Sequence, residues 1–414
     1  MTQRHFSAVN AAEPPASTSS RAHDALRRAR TLARTLREKA AARDAERILP
    51  YDALALLREY DLLGLRTPSS LGGNEIDYGD VVRVIAELAR GDSSVAQLLV
   101  PHYVYQERMR LMGDDALKQR VWRRVAQGAL IGNASTERGS ARSSEITIQL
   151  TADGSDYRLS GRKFYSTPTL FADLVFATVL DPHNRIVYAI LPTDRDGITR
   201  VDDWDGVGQR VTGSGTTIFD NVEVKAEEIV VVGYWTGRRH YTSSGAQILF
   251  AALKSGIAYA ALDDARDWAR DGARPSRTTQ VEHVTLDPYV QALVGELATS
   301  ALAAELVLGH AADALTRASH AQYDDLPPDA LETILVDTAV RTAQAQLATE
   351  QAALHVAQKL FDVGGTSTAL KRHNFDRHWR NARTISLHDP IVYRSKAIGA
   401  HLLRGDAPPL GFTY

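Results

Sequence analysis

The sequence predicts a mainly α-helical fold with one central β-domain, and three observations carry that prediction. Apolar residues recur at helical spacing from Arg21 to about Gln127, at a period of two from about Ala129 to Val232, and at helical spacing again from Gly245 onward. At 414 residues the chain is also too long for one undivided core. The boundaries that follow are a flexible N-terminus over 1–20, an N-terminal helical domain over 21–128, a middle β-domain over 129–235 and a C-terminal helical bundle with its loop and tail over 236–414.

Each segment has a local reason. In DVVRVIAELAR the residues Val81, Ile85, Leu88 and Ala89 fall on one helical face. The stretch TPSSLGGNEIDYGD, with Pro68, Gly72 and Gly73, interrupts two such helices. EITIQL alternates Ile146, Ile148 and Leu150, and Asp153-Gly154 is a turn signal leading into DYRLSGRKFY. LVFATVL, RIVYAIL and TTIFDNVEV continue at short spacing, which predicts an antiparallel barrel or sandwich. Three long helices follow, over about Ser244–Asp271, Pro288–Arg317 and Asp329–Leu360, the last opening at Pro327-Pro328 and closing at Gly364-Gly365. Their Ala-rich faces suit antiparallel packing and a subunit interface, so a homo-oligomer is expected.

Composition narrows the function classes. Lys and Arg number 48 against 50 Asp and Glu, a net charge of −2, without the basic excess of a nucleic-acid or membrane partner. The absence of cysteine excludes disulfides, thiolate metal sites and a cysteine nucleophile, and fits a reducing cytoplasm. The N-terminal stretch lacks the apolar core of a signal peptide, and no unbroken apolar run approaches the roughly 18 residues of a membrane span. The 13 histidines form no defensible metal signature, and no Walker loop, GxSxG or post-strand GxGxxG is present. A soluble, cytoplasmic protein without metal is the expectation.

The motifs agree with that order of regions. LLREYDLLGLRTPSSLGGNEIDYGDVVRVIAELARGDSSVAQLL resembles the first region of the acyl-CoA dehydrogenase superfamily, and DDWDGVGQRVTGSGTTIFDNVEV resembles its β-domain segment. FDRHWRNARTISLHDPIVYRSKAIG, with the tail PPLGFTY, is similar to the flavin-dependent monooxygenase branch typified by dibenzothiophene monooxygenase. The resemblance spans about Asp52 to Tyr414. It implies an N-terminal helical domain, an antiparallel β-domain, a four-helix bundle and a dimer-of-dimers assembly. Where one large group of the dehydrogenases carries its catalytic glutamate, this chain has Ser386-Leu387-His388-Asp389-Pro390. Other dehydrogenases carry the base on an earlier helix, and the corresponding FAALKSGIAYAALDDAR offers Lys254 and Asp263-Asp264 instead.

The resemblance therefore implies an oxygenase that takes reduced flavin (FMNH2 or FADH2) from a separate NAD(P)H:flavin reductase, reacts it with O2 to a C4a-hydroperoxyflavin, and oxygenates a small aromatic substrate at sulfur, carbon or nitrogen. Two alternatives stand beside it: an N-hydroxylase of amines or amino sugars, and an acyl-CoA dehydrogenase with a displaced base. His388 is the first candidate at the reactive edge, because an imidazole donates or accepts a proton near neutrality. Asp389 helps set the loop, although adjacent side chains in an extended segment point apart. Read without the resemblance, His388-Asp389-Pro390 is simply a helix start. His102 aligns with an active-site histidine of the branch; alone it reads as a core imidazole. Thr167, with neighbouring Ser166, stands where the branch places a hydroxyl near flavin N5. Asn133 and Ser135 resemble the polar residues set against the isoalloxazine, and Trp204 is expected near its ring. Arg274 matches an arginine for the cofactor phosphate, across a subunit interface in one reading, and Gly364 and Gly365 are its companions. Ser367 replaces an arginine of the branch, which leaves FAD open beside FMN.

Arg377, Arg380 and Arg383 recur every three residues, and the expected role is structural: ion pairs that fix the loop carrying His388. The cluster KRHNFDRHWRNAR also resembles a basic, aromatic-interleaved nucleic-acid patch, which the neutral overall charge argues against.

Overall fold

The computed structural model describes residues 20–139, 145–232, 235 and 237–411. Residues 1–19 of the expected flexible N-terminus and the end of the PPLGFTY tail lie outside these residues.

Five helices come first: α1 (Ser20–Glu46), α2 (Tyr51–Glu59), α3 (Tyr78–Gln97), α4 (Leu99–Met112) and α5 (Asp115–Ala126). Eight strands follow: β1 (Ile131–Ala134), β2 (Thr151–Asp153), β3 (Asp156–Lys163), β4 (Leu174–Leu180), β5 (Ile186–Pro192), β6 (Ile198–Arg200), β7 (Thr217–Val224) and β8 (Ile229–Val231). The C-terminal region holds α6 (Tyr241–Asp267), α7 (Pro288–Ala321), α8 (Pro328–Lys359), α9 (Asp376–Ser386) and α10 (Ile391–Arg404).

The strands form two four-stranded sheets, ordered β1-β4-β5-β8 and β2-β3-β7-β6. The β-domain is thus a sandwich. One pairing departs from the expected antiparallel pattern: β1 runs parallel to β4, Ile131 opposite Leu174. A parallel pair needs a long crossover, and the chain supplies it by visiting β2 and β3 in the other sheet between them. β4 is buried on both faces, because Val175, Ala177 and Val179 fill the sandwich core while Leu174 and Phe176 pack on α4 and α5 through Tyr105, Met109, Val121 and Trp122. Burying a ring such as Phe176 stabilises by roughly 1.5–3 kcal/mol.

α6 is the spine of the helical half, with α3, α7 and α8 packed around it. By length and composition the helical stretches Tyr241–Gly272 and Pro288–Ala321 are apolar enough to cross a membrane. Unbroken runs miss this, since single residues such as Lys254 in the first stretch and Glu296 and Glu305 in the second, with scattered Gly, Ser and Thr, interrupt the apolar residues. The first is an inner helix, 83% of its apolar window buried, whereas only 22% of the second is covered. α8 ends at Lys359, before Gly364-Gly365, because a 3-10 turn over Leu360–Val363 continues the chain.

α9 ties this half to the β-domain. The Gln209 N–H donates to Asn381 Oδ1 at 2.6 Å, and the side chains of Gln209 and Asn381 both donate to Ser93 Oγ. A β-carbon at Gly208 would lie 2.1 Å from the Arg380 carbonyl oxygen, so this approach requires glycine.

Candidate active site

The first set of candidates meets on the β-domain. Tyr105, on α4, donates its hydroxyl to Asn133 Oδ1 at 2.7 Å and lies 2.8 Å from Ser135 Oγ. Ser135 Oγ also donates to Asn133 Oδ1 and sits 2.5 Å from Thr178 Oγ1. The Asn133 amide nitrogen therefore faces outward, with a long 3.5 Å bond to the Tyr165 carbonyl. Beside it, Thr167 Oγ1 is 2.5 Å from Ser214 Oγ, and the Asn133 N–H donates to the Thr167 carbonyl at 3.1 Å. Ser166 is 1% exposed and its hydroxyl has no protein partner. Trp204 donates its indole N–H to the Gln209 carbonyl and turns its ring toward Tyr165 and Phe164, centroids 5.9 and 6.5 Å away. Asn133, Ser135, Ser166, Thr167 and Trp204 thus line one polar and aromatic face. Tyr105, which sequence reasoning missed, organises it.

His102 lies behind that face. It is fully buried, Nε2 sits 2.8 Å from the Leu63 carbonyl, and Nδ1 accepts the Ile131 N–H at 3.1 Å. Burial lowers its pKa to about 4, so the ring is neutral. The structure gives it the role of anchoring β1, the strand that carries Asn133.

His388 and Asp389 form a second group on the helical half. The His388 ring rests on Phe250 with centroids 4.1 Å apart, and its Nδ1 is 3.2 Å from Asp389 Oδ2. The two adjacent side chains meet because the segment bends here between α9 and α10, whereas an extended one would part them. Burial raises the Asp389 pKa, but hydrogen bonds from His388 and Gln247 and the charge of Arg394 hold it below the usual carboxylate range. Arg394 Nη2 is 3.4 Å from Asp389 and 3.3 Å from Gln247 Oε1. Gln247, Phe250, Lys254, Gln346, Ile385 and Ile391 complete a small recess beside His388, with room for about one oxygen atom.

The residues that stand where some dehydrogenases carry the base on an earlier helix are held in ion pairs. Lys254 pairs with Glu350 at 3.1 Å, Asp263 with Arg90 at 2.6 Å, and Asp264 with Arg37, Arg377 and His378 at 2.6–2.8 Å. Arg377 and Arg380 are anchored, the latter on Asp44 and Asp376, but Arg383 is exposed. A three-residue recurrence drifts by about 60° per step on a helix of about 100° per residue, so the three arginines do not share a face.

Arg274, Gly364 and Gly365 form a third group. Arg274 is exposed just past the end of α6. Gly364 lies against Trp268, whose indole nitrogen would be 1.9 Å from an added β-carbon. Trp268 Nε1 and nearby His373 Nε2 are buried without protein partners, the two rings 4.5 Å apart. Trp268, just past the end of α6, stands 18 residues beyond Phe250, roughly 27 Å along the helical stretch, so this group lies far from His388.

The class of protein that combines this helical–β–helical order with these motifs is shown by comparison with known proteins. Residues 20–129 match the acyl-CoA dehydrogenase N-terminal domain and 248–392 the acyl-CoA dehydrogenase C-terminal domain. The dibenzothiophene monooxygenase of Rhodococcus qingshengii is 33% identical over 371 residues, covering 86% of this chain and 88% of that protein. The probable FMNH2-dependent monooxygenase SfnC of Pseudomonas putida is 29% identical, covering 94% and 97%. TdsC from Paenibacillus sp. A11-2, solved with FMN and indole, superposes with a TM-score of 0.86 at 28% identity over 95% of this chain and 100% of TdsC. The chain belongs to the acyl-CoA dehydrogenase family, in the branch of flavin-dependent monooxygenases. It is accordingly an oxidoreductase.

Proposed function

We propose that this chain is the oxygenating component of a two-component system, fed with reduced flavin by a separate NAD(P)H:flavin reductase. The names of its relatives support FMN, reduced flavin and O2. The observation that carries the site assignment is the outward amide of Asn133, its Oδ1 held by Tyr105 and Ser135 and its nitrogen left with one long 3.5 Å contact, beside Thr167. An amide nitrogen has two donors, so Asn133 has one to spare for a ligand heteroatom. The face fits the polar edge of an isoalloxazine, with Trp204 and Tyr165 beside its rings.

When bound, the reduced flavin supplies the electrons for splitting O2, one atom going to substrate and the other to water. The chain's residues do the rest. Asn133, Ser166 and Thr167 orient the polar edge by hydrogen bonds. His388, steadied by Phe250 and Asp389, donates or holds a proton at Nε2. Asp389 and Glu350 are each held by a cation, which leaves neither as a base and argues against the dehydrogenase alternative.

The substrate class that the relatives' names support is a small aromatic or heteroaromatic ring, as with dibenzothiophene and indole. Arg274 and the Gly364-Gly365 turn, at the far end of α6, suit the phosphate of a cofactor shared with a second copy, and the exposed α7 surface around Leu302 and Leu306 suits a subunit contact. The test is product analysis under isotope-labelled O2 with chemically reduced FMN. One labelled atom per product is expected. Unlabelled product, or bleaching of oxidised flavin by an acyl-CoA, would turn the assignment to the dehydrogenase.

A further inference from the structure

The recess beside His388 is not the dry slot that a bare ring would need. Phe250, Ile385 and Ile391 give it apolar walls, but Gln247, Lys254 and Gln346 give it a polar floor. Gln247, Phe250 and Lys254 stand at i, i+3 and i+7 on one face of α6, so the floor is built by the helix itself.

Lys254 is 3% exposed. Its ammonium lies 3.1 Å from Glu350 Oε2 and makes a long 3.4 Å contact with the Gln346 carbonyl. An ammonium has three N–H donors, so a third remains for a group in the recess. Gln247 offers less, because its Oε1 already accepts from Gln346 and Arg394 and its amide faces Asp389. A buried Lys–Glu pair is seldom more stabilising than apolar residues of the same volume, so stability alone does not account for one on this floor. Charge then selects the ligand. Glu350 balances Lys254 and Arg394 balances Asp389, so a further anion would have only a protonated His388 as counter-charge, whereas a neutral acceptor needs none.

We infer that the recess takes a neutral hydrogen-bond acceptor on the substrate ring, a carbonyl-type oxygen, with Lys254 as its donor. This inference rests on the monooxygenase assignment, and Lys254 becomes a specificity-determining residue for it. A ring lacking the oxygen leaves a buried donor unmatched, which is how such sites reject close analogues.

The experiment titrates the FMN-loaded protein with benzothiophene, formyl-benzothiophene and benzothiophene carboxylate, and repeats the series on the Lys254→Met/Glu350→Leu double variant, which removes both charges together. Wild type is expected to bind the formyl compound about 10-fold more tightly than the parent, as for a hydrogen bond to a charged group. The carboxylate should bind more weakly than the formyl compound. The double variant should lose the formyl preference in Kd and, by the same factor, in kcat/KM. Equal wild-type affinity for parent and formyl compound overturns the inference without any variant being needed. Tighter binding of the carboxylate, or a preference that survives in the double variant, also overturns it. If the binding pattern appears but reduced FMN and O2 oxygenate none of the compounds, the monooxygenase assignment falls while the recess assignment stands.

Discussion

The His388 imidazole lies on the Phe250 ring, tilted by 31° with centroids 4.1 Å apart, and its Nδ1 faces Asp389 at 3.2 Å. One nitrogen is thereby engaged, so Nε2 is the one left for the proton transfer proposed for His388. Replacing His388 with alanine should lower product formed per reduced flavin, raise released hydrogen peroxide, and reduce kcat/KM by about 100-fold, within the range of a lost general acid–base group. Product and peroxide measured together check this. Unchanged coupling removes His388 from the mechanism.

Ser166→Ala separates stability from cofactor binding. The Ser166 hydroxyl is buried without a partner, so deleting it removes a desolvation cost and should leave the unfolding free energy unchanged or raise it by about 1 kcal/mol. FMN affinity should weaken by about 5- to 10-fold in a fluorescence titration. Loss of stability with unchanged affinity would show that the hydroxyl is not aimed at the cofactor.

The change of apolar period carried most of the fold, because a strand and a helix bury different faces of the same composition. LVFATVL reads as a strand at a glance, yet its burial on both faces depends on α4 and α5, which no local pattern announces. The parallel β1–β4 pairing was equally hidden, since register across a long crossover is a tertiary property. Of the residues proposed to hold the flavin, Asn133, Ser135 and Thr167 were legible through the resemblance. Tyr105 was not, because an aromatic residue on a helix next to a β-domain looks like core, and its ring is core: only the hydroxyl reaches the site. His102 illustrates the converse. Its position matched an active-site histidine, but both ring nitrogens are taken by backbone groups.

That division of Tyr105 into a packed ring and a working hydroxyl can be tested. Tyr105→Phe keeps the packing on Phe176 and Tyr188 and removes the donor to Asn133. Asn133 would retain one donor, Ser135. FMN affinity should fall by about 5-fold, the equivalent of about 1 kcal/mol for one hydrogen bond, with little change in unfolding midpoint. Titration of FMN fluorescence and a thermal melt together decide it.

His102 and His240 give the protein an acid-sensitive fold. Burial lowers both to about 4. The unfolded chain titrates its histidines near 6.5, so between these values it binds protons that the folded state refuses, and stability falls as pH drops through that window. Each should lose roughly 2 kcal/mol between pH 7 and pH 5. Asp80 and Asp92, raised by burial, act in the opposite direction. Denaturant titrations at the two pH values should show a smaller difference for His102→Asn than for wild type. An equal difference would mean that His102 is protonated in the folded state.

Asp264 decides whether α9 holds its place. Burial raises its pKa, but hydrogen bonding by His378 with the charges of Arg377 and Arg37 keeps it far below the usual carboxylate range, so it is ionised at any physiological pH. Asp264→Asn keeps the shape and leaves Arg377, 8% exposed, without its charge partner. Breaking a buried pair from one side costs about 3–5 kcal/mol, so the unfolding midpoint should drop sharply. Coupling should drop with it, because α9 delivers the chain to His388. Arg383→Ala on the same helix supplies the contrast: the residue is exposed, and its change should stay within about 0.5 kcal/mol. If the two variants melt alike, the charge on α9 is a solvated surface and its link to the site must run through Asn381 and Gln209 alone.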